Sequence, residues 1–122
     1  MMPARPRHAA SLVLVREGKM GREVLMGRRP GKSAFAPDVF VFPGGKLDPS
    51  DRLIKPAKSL SDVCIRLSAA GPSLANALGI AALRETEEET GLTLSSRRDQ
   101  VGPDLSRLTL IARAITPTES PI

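Results

Sequence analysis

The stretch Arg84-Glu85-Thr86-Glu87-Glu88-Glu89-Thr90-Gly91-Leu92 decides how the rest of this 122-residue chain is read. From Ser73 the spacing becomes helical and stays so to Thr90, with Gly91 in the usual position just past a helix end. Successive helical residues rotate by about 100°. Glu88 and Glu89 therefore flank Glu85 on one face, and Glu87 points away. One and two turns earlier that face carries Ala81, Leu78 and Leu74, so it is expected to pack. Ile80, Leu83 and Thr86 are expected on other sides.

As pure structure this arrangement is unfavourable. Four glutamates lie where the helix dipole is negative, and each costs on the order of 0.3–1 kcal/mol there. Glu85 and Glu89 are also a like-charge i,i+4 pair, a further few tenths of a kcal/mol. Only Arg84, four residues before Glu88, offers local relief. A divalent cation would remove most of the repulsion, and carboxylate oxygens are the ligands hard Mg²⁺ prefers. Glutamate-rich helix ends are nevertheless common on solvated surfaces, so the surroundings must decide.

Working outward, Ser11–Arg16 and Glu23–Arg28 are apolar, partly β-branched runs separated by Glu17-Gly-Lys-Met-Gly-Arg22. They predict a β-hairpin or two neighbouring strands. Arg29 to Asp38 holds Pro30, Gly31 and Pro37 and reads as a loop. Val39–Phe42 predicts a short strand that stops at Pro43-Gly44-Gly45, where two glycines permit close approach of the backbone to a ligand. Pro49 and Pro56 break the next stretch, and Leu60–Ala69 has weak helical character. Leu108–Ile115 predicts a further strand, and Thr116–Ile122 a Pro-containing loop.

Composition bounds the function. Forty-one per cent hydrophobic and 25% charged residues describe an ordinary globule of one domain. No apolar run approaches the ~20 residues of a membrane span, and Ser11–Val15 is too short for a secretory signal. Residues 1–8 read as a basic tail, with a fragment of an organelle transit sequence as the alternative. A single cysteine, Cys64, excludes an internal disulfide and fits a reducing compartment, with cytoplasm the default. The net charge of +5 points to anionic partners. Nucleic acid is disfavoured, because no Trp, no Tyr and only three Phe leave few stacking platforms. A phosphorylated small molecule suits the charge, and a homodimer is compatible with it.

Arg84–Leu92 resembles the second half of the Nudix hydrolase signature, G-x5-E-x7-R-E-U-x-E-E-x-G-U, with Thr86 in place of one bulky apolar residue U. Gly45-Lys-Leu-Asp-Pro-Ser-Asp51 resembles the first half, with Asp51 where the motif has Glu. Phe42-Pro43-Gly44-Gly45 and Leu25-Met-Gly-Arg-Arg29 are similar to the family's lead-in. The spacer has grown to thirty-two residues, Arg52 to Leu83, an insertion of about 25. Long surface insertions cost little, so the two halves can still meet. The resemblance implies an α/β (α+β) fold, a Nudix-type α/β/α sandwich with a mixed β-sheet, over residues 9–122. The insertion falls at about 52–72, and further strands and a final helix would be expected beyond Ile122. The Gly-Gly-x-x-Asp-x-x-Asp loop and Arg-Glu-Thr-x-Glu-Glu helix look most like the coenzyme A diphosphatase branch. Nucleotide sugars and dinucleotides stay open as substrates.

The resemblance further implies Mg²⁺-dependent attack of water on a P–O–P bridge, with Mn²⁺ as a substitute. Glu88, Glu89 and the carbonyl of Gly45 would be metal ligands, and Glu85 either a third ligand or the base that orients water. Arg84 would hold the carboxylates in place, its bland alternative being a surface pair with Glu88. Asp51, one methylene shorter than Glu, would weaken an outer metal contact. Arg28 and Arg29, with Gly44 and Gly45, are candidates for binding substrate phosphates, against an ordinary exposed strand end. Phe35, Phe40 and Phe42 are candidates to stack on a base, although core packing is the first expectation for the last two. His8 is expected to be inert and Cys64 to be a small buried hydrophobe. Two rivals stand beside the enzyme. They are a Nudix-like module that binds a nucleotide without hydrolysis, and a basic RNA-binding domain.

Overall fold

The computed structural model describes residues 7–28, 39–94 and 102–114. The expected loop at 29–38, which includes Arg29 and Phe35, lies outside these residues. So do residues 1–6 of the expected tail and the stretch from Ile115 onward. In chain order the elements are β1 (Ala9–Ser11), β2 (Val15–Gly18), β3 (Gly21–Val24), β4 (Gly27–Arg28), β5 (Phe40–Val41) and β6 (Gly44–Lys46). A short 3-10 helix (Pro49–Leu53), α1 (Asp62–Ser68) and α2 (Pro72–Thr90) follow.

The fold is of the α+β class. Among the described residues its strands form three antiparallel pairs, β1 with β6, β2 with β3 and β4 with β5, and the one parallel link is a bridge between Lys58 and Asp104. The hairpin is present but differs from the expected one. Its two-residue turn, Lys19-Met20, is closed by Gly18 opposite Gly21, and Gly21 has φ +121°, a region few side-chain-bearing residues tolerate. The run Ser11–Arg16 is split, because Ser11 belongs to β1 and pairs with Gly44 while Val15 opens β2. Gly44 and Gly45 likewise do more than stop a strand: they form β6. Its pairing is extended by Leu12 N–H donating to Pro43 O (2.8 Å) and Leu47 N–H to His8 O (2.9 Å). Cross-strand pairs Arg16–Glu23 (3.0 Å) and Arg22–Glu17 (3.3 Å) line the exposed hairpin. Pairs this exposed contribute about 0.2–1 kcal/mol each.

Helix α2 begins at Pro72, which suits the first helical turn, and ends as expected. Gly91 adopts φ +75° and its N–H donates to Glu87 O (2.8 Å). The helix contacts β1 and β6, the 3-10 helix and α1. It is therefore buried on more than the single face expected. Ile80, Leu83 and the fully buried Leu105 form the core, with Leu12, Leu60, Leu94 and Leu108 against it, whereas Leu74 and Leu78 are half-buried. Thr86 is buried too, its hydroxyl donating to Ala82 O (2.7 Å). Such a bond back to a helix carbonyl adds little. Thr86→Val is therefore expected to change the unfolding free energy by less than about 1 kcal/mol in urea titration.

The insertion packs against α2. Ser61 caps α1 by accepting from Cys64 N–H (3.2 Å), and Asn76 on α2 accepts from Leu60 N–H (3.0 Å). Ala57 and Leu105 exchange backbone bonds across the two segments with Pro103 and Lys58 (both 2.8 Å). Cys64 is buried as expected, and its sulfur also accepts from Leu110 N–H (3.4 Å) and lies 3.5 Å from Leu108 O. The expected strand at Leu108–Ile115 does not form over 108–114, which is irregular. This backbone meets the cysteine sulfur and its own preceding turn rather than a strand edge. No single helix among the described residues is long and apolar enough to cross a membrane.

Candidate active site

The centre of the site is Arg84. Its Nε and Nη2 donate to the two oxygens of Asp51 at 2.9 and 3.0 Å, the fork-to-fork geometry that suits a guanidinium to a carboxylate. Nη2 also reaches Lys46 O (3.3 Å), and Nη1 reaches Glu85 (3.1 Å) and, more distantly, Glu88 (3.4 Å). The expected alternative, a surface pair with Glu88, is thus the longest of its carboxylate contacts. Asp51 is fully buried. The Arg84 hydrogen bonds hold its carboxyl below the usual carboxylate range, outweighing the opposite push of burial, and Asp48 N–H adds to the effect. The same pairing raises Arg84 further above its already high value.

The Asp51–Arg84 pair is a partnership that the sequence alone does not assign. One signal was available, the Asp-x-x-Asp spacing of a capping box. Asp48 accepts from Ser50 N–H (2.9 Å), and Asp51 accepts in return from Asp48 N–H (2.8 Å). The reciprocal cap winds Pro49–Leu53 into a tight helix and turns Asp51 inward.

Glu85 lies against the double-glycine strand. A methyl group placed on Gly45 would fall 2.6 Å from its carboxyl carbon and 2.9 Å from both oxygens. Glycine is needed here because the acid occupies the space of a side chain. At Gly44, φ is +154° and a methyl group would run into the Ala10 carbonyl. Gly44→Ala is accordingly expected to destabilise the domain by about 1–3 kcal/mol, since backbone must shift. Gly45→Ala is expected to cost less stability, because Glu85 can swing aside, but more activity. Thermal melts beside turnover measurements separate the two.

A cleft of about 730 Å³ opens beside this strand, lined by Arg28, Phe42, Gly44, Gly45 and Glu89 together with β1. The candidate residues are therefore divided. Glu89, Arg28 and the glycines share the cleft, Glu85 sits at Gly45, and Glu88 is 60% exposed beside Arg84. Among the described residues no three acidic, His or Cys side chains form a ready-made metal cage. Phe40 and Phe42 are both exposed, contrary to the expected core packing, and Phe42 lines the cleft. The short β4–β5 ladder leaves them uncovered.

No family model matches the chain, and no curated protein does. Among solved structures, a Nudix hydrolase from Alicyclobacillus acidocaldarius is 33% identical to it and matches 84% of this chain with a TM-score of 0.60. The fold is a Nudix fold. The match also supports the Nudix family reading. This Nudix-type chain spans 44% of that relative's length. Within its described part the two signature halves meet, Gly45 against Glu85 and Asp51 against Arg84, across the intervening insertion.

Proposed function

We propose that the chain is a Nudix hydrolase that uses Mg²⁺, or Mn²⁺ in its place, to cleave the diphosphate of a nucleoside diphosphate linked to another moiety. The observation that carries this reading is the placement of Glu85 at Gly45 and of Glu89 in the adjoining cleft with Arg28. Hard oxygen donors fit Mg²⁺. The ion needs only one or two protein carboxylates when phosphates and water complete its shell, so a three-acid cage is not required. Glu89, Glu85, Glu88 and the Gly45 carbonyl are the groups that would hold it. When bound, it would supply positive charge to oxygens that become more anionic in the transition state.

This chain's own side chains do the rest. Arg28, and Arg29 beyond the described residues, would take substrate phosphate oxygens, and Phe42 offers a flat apolar wall. Arg84, oriented by Asp51, holds Glu85 and limits where its carboxylate can point. Glu85 has two roles open to it, metal ligand or acceptor of the proton of the attacking water. Water adds to one phosphorus, the P–O–P bond breaks, and the second phosphate leaves. Coenzyme A is the first substrate to test, given the insertion and the form of the glycine loop. A reducing compartment such as the cytoplasm suits the lone thiol. The test is a hydrolysis screen with Mg²⁺ against coenzyme A, ADP-ribose, nucleotide sugars, diadenosine polyphosphates and nucleoside triphosphates. Metal-dependent release of a monophosphate product is expected for at least one. Tight binding without turnover of any would instead favour a nucleotide-binding module.

A further inference from the structure

We infer that Asp48 is a positioning residue that acts through Asp51 and Arg84 on the acids of the site, a role that rests on the proposed hydrolase reading. Three donors fix the Asp51 carboxylate. Arg84 supplies two of them, at 2.9 and 3.0 Å, and Asp48 N–H supplies the third at 2.8 Å. Asp51 Oδ2 is shared between Asp48 N–H and Arg84 Nη2, so a shift of residue 48 is felt directly by the guanidinium. That N–H is aimed by the Asp48 side chain, whose Oδ1 accepts from Ser50 N–H (2.9 Å) and the Ser50 hydroxyl (2.8 Å) and so closes the turn.

Position along the chain explains why such a latch is useful. The insertion leaves the site immediately after Asp51, at Arg52, and the next residue of the signature is Arg84. A long connection starting there transmits its motion to the carboxylate unless something local resists. The Asp48–Asp51 box supplies that resistance within four residues, and a carboxylate on the short Asp arm has little slack of its own. Misplacing a catalytic group by about 1 Å can cost on the order of 100-fold in rate. Asp48 is not among the residues that line the cleft, and its carboxylate is engaged by Ser50.

The experiment compares Asp48→Ala with Asp48→Asn and Asp48→Ser, which retain a capping oxygen. Kinetics use the substrate found in the screen. For Asp48→Ala a loss of about tenfold in kcat with KM little changed is expected. Asn and Ser are expected to restore kcat to within about twofold, since their capping strength is close to that of Asp. In parallel, the melting temperatures of Asp48→Ala, Arg84→Lys and the double variant form a cycle that does not depend on activity. The two single losses are expected to overlap, so that the double variant melts above the additive value. Additive losses, or an Asp48→Ala enzyme with unchanged kcat, would overturn the role. A wild-type chain that turns over nothing sinks the hydrolase reading alone, and the cycle still decides whether Asp48 is coupled to Arg84.

Discussion

Arg84→Met should destabilise the domain by about 3–5 kcal/mol at neutral pH, the cost of leaving a buried carboxylate without its cation. Asp51 is fully buried and takes two of its three hydrogen bonds from Arg84. The pH dependence follows from the direction of its shift. Because pairing lowers the folded-state pKa of Asp51, the stability it confers is complete above the unfolded value of about 3.9 and is lost as pH falls through the folded one. The deficit of Arg84→Met is therefore largest near neutral pH and shrinks on acidification, because burial pushes the stranded Asp51 carboxyl up and lets it protonate while the wild-type pair is still charged. Urea titrations of both proteins at neutral and acidic pH measure the difference. A neutral-pH deficit under about 1 kcal/mol would show that Arg84 is the surface residue of the bland alternative. Asp51→Asn, which keeps the shape and removes the charge, should cost less than Arg84→Met.

The second large effect is functional. Glu89→Gln should reduce Mg²⁺-dependent turnover by more than about 100-fold while the melting temperature stays the same or rises slightly. Glu89 lies in the last turn of α2 and lines the cleft. Removing its charge relieves an unfavourable interaction with the helix dipole worth about 0.3–1 kcal/mol. The opposite signs on activity and stability are the informative part, because a residue kept for packing would lose both. An active Glu89→Gln variant defeats the assignment of this residue, and an inactive but destabilised one shifts the explanation to structure.

Helix α2 and its Gly91 stop were legible because both are written locally, in apolar spacing and in a residue that tolerates a left-handed conformation. The hairpin was legible for the same reason, though its turn is tighter than the spread of glycines implied. Strand breaks were harder. Ser11 and Val15 belong to different ladders because Gly44, distant in sequence, claims the first while the nearby hairpin partner Val24 claims the second. The strand expected near Leu108 failed on the same point: apolar β-branched residues need a free strand edge, and this segment meets Cys64 instead.

By itself the sequence established an acidic helix end that repels itself, a double glycine, and a signature order that joins them, all of which are properties of neighbours along the chain. Only tertiary structure decided that Asp51 pairs with Arg84, that Glu85 fills the space glycine vacates at position 45, and that Phe42 faces the cleft. The physical reason is that a carboxylate's partner is set by which donors burial brings within about 3 Å, and residues 33 positions apart carry no local trace of that meeting.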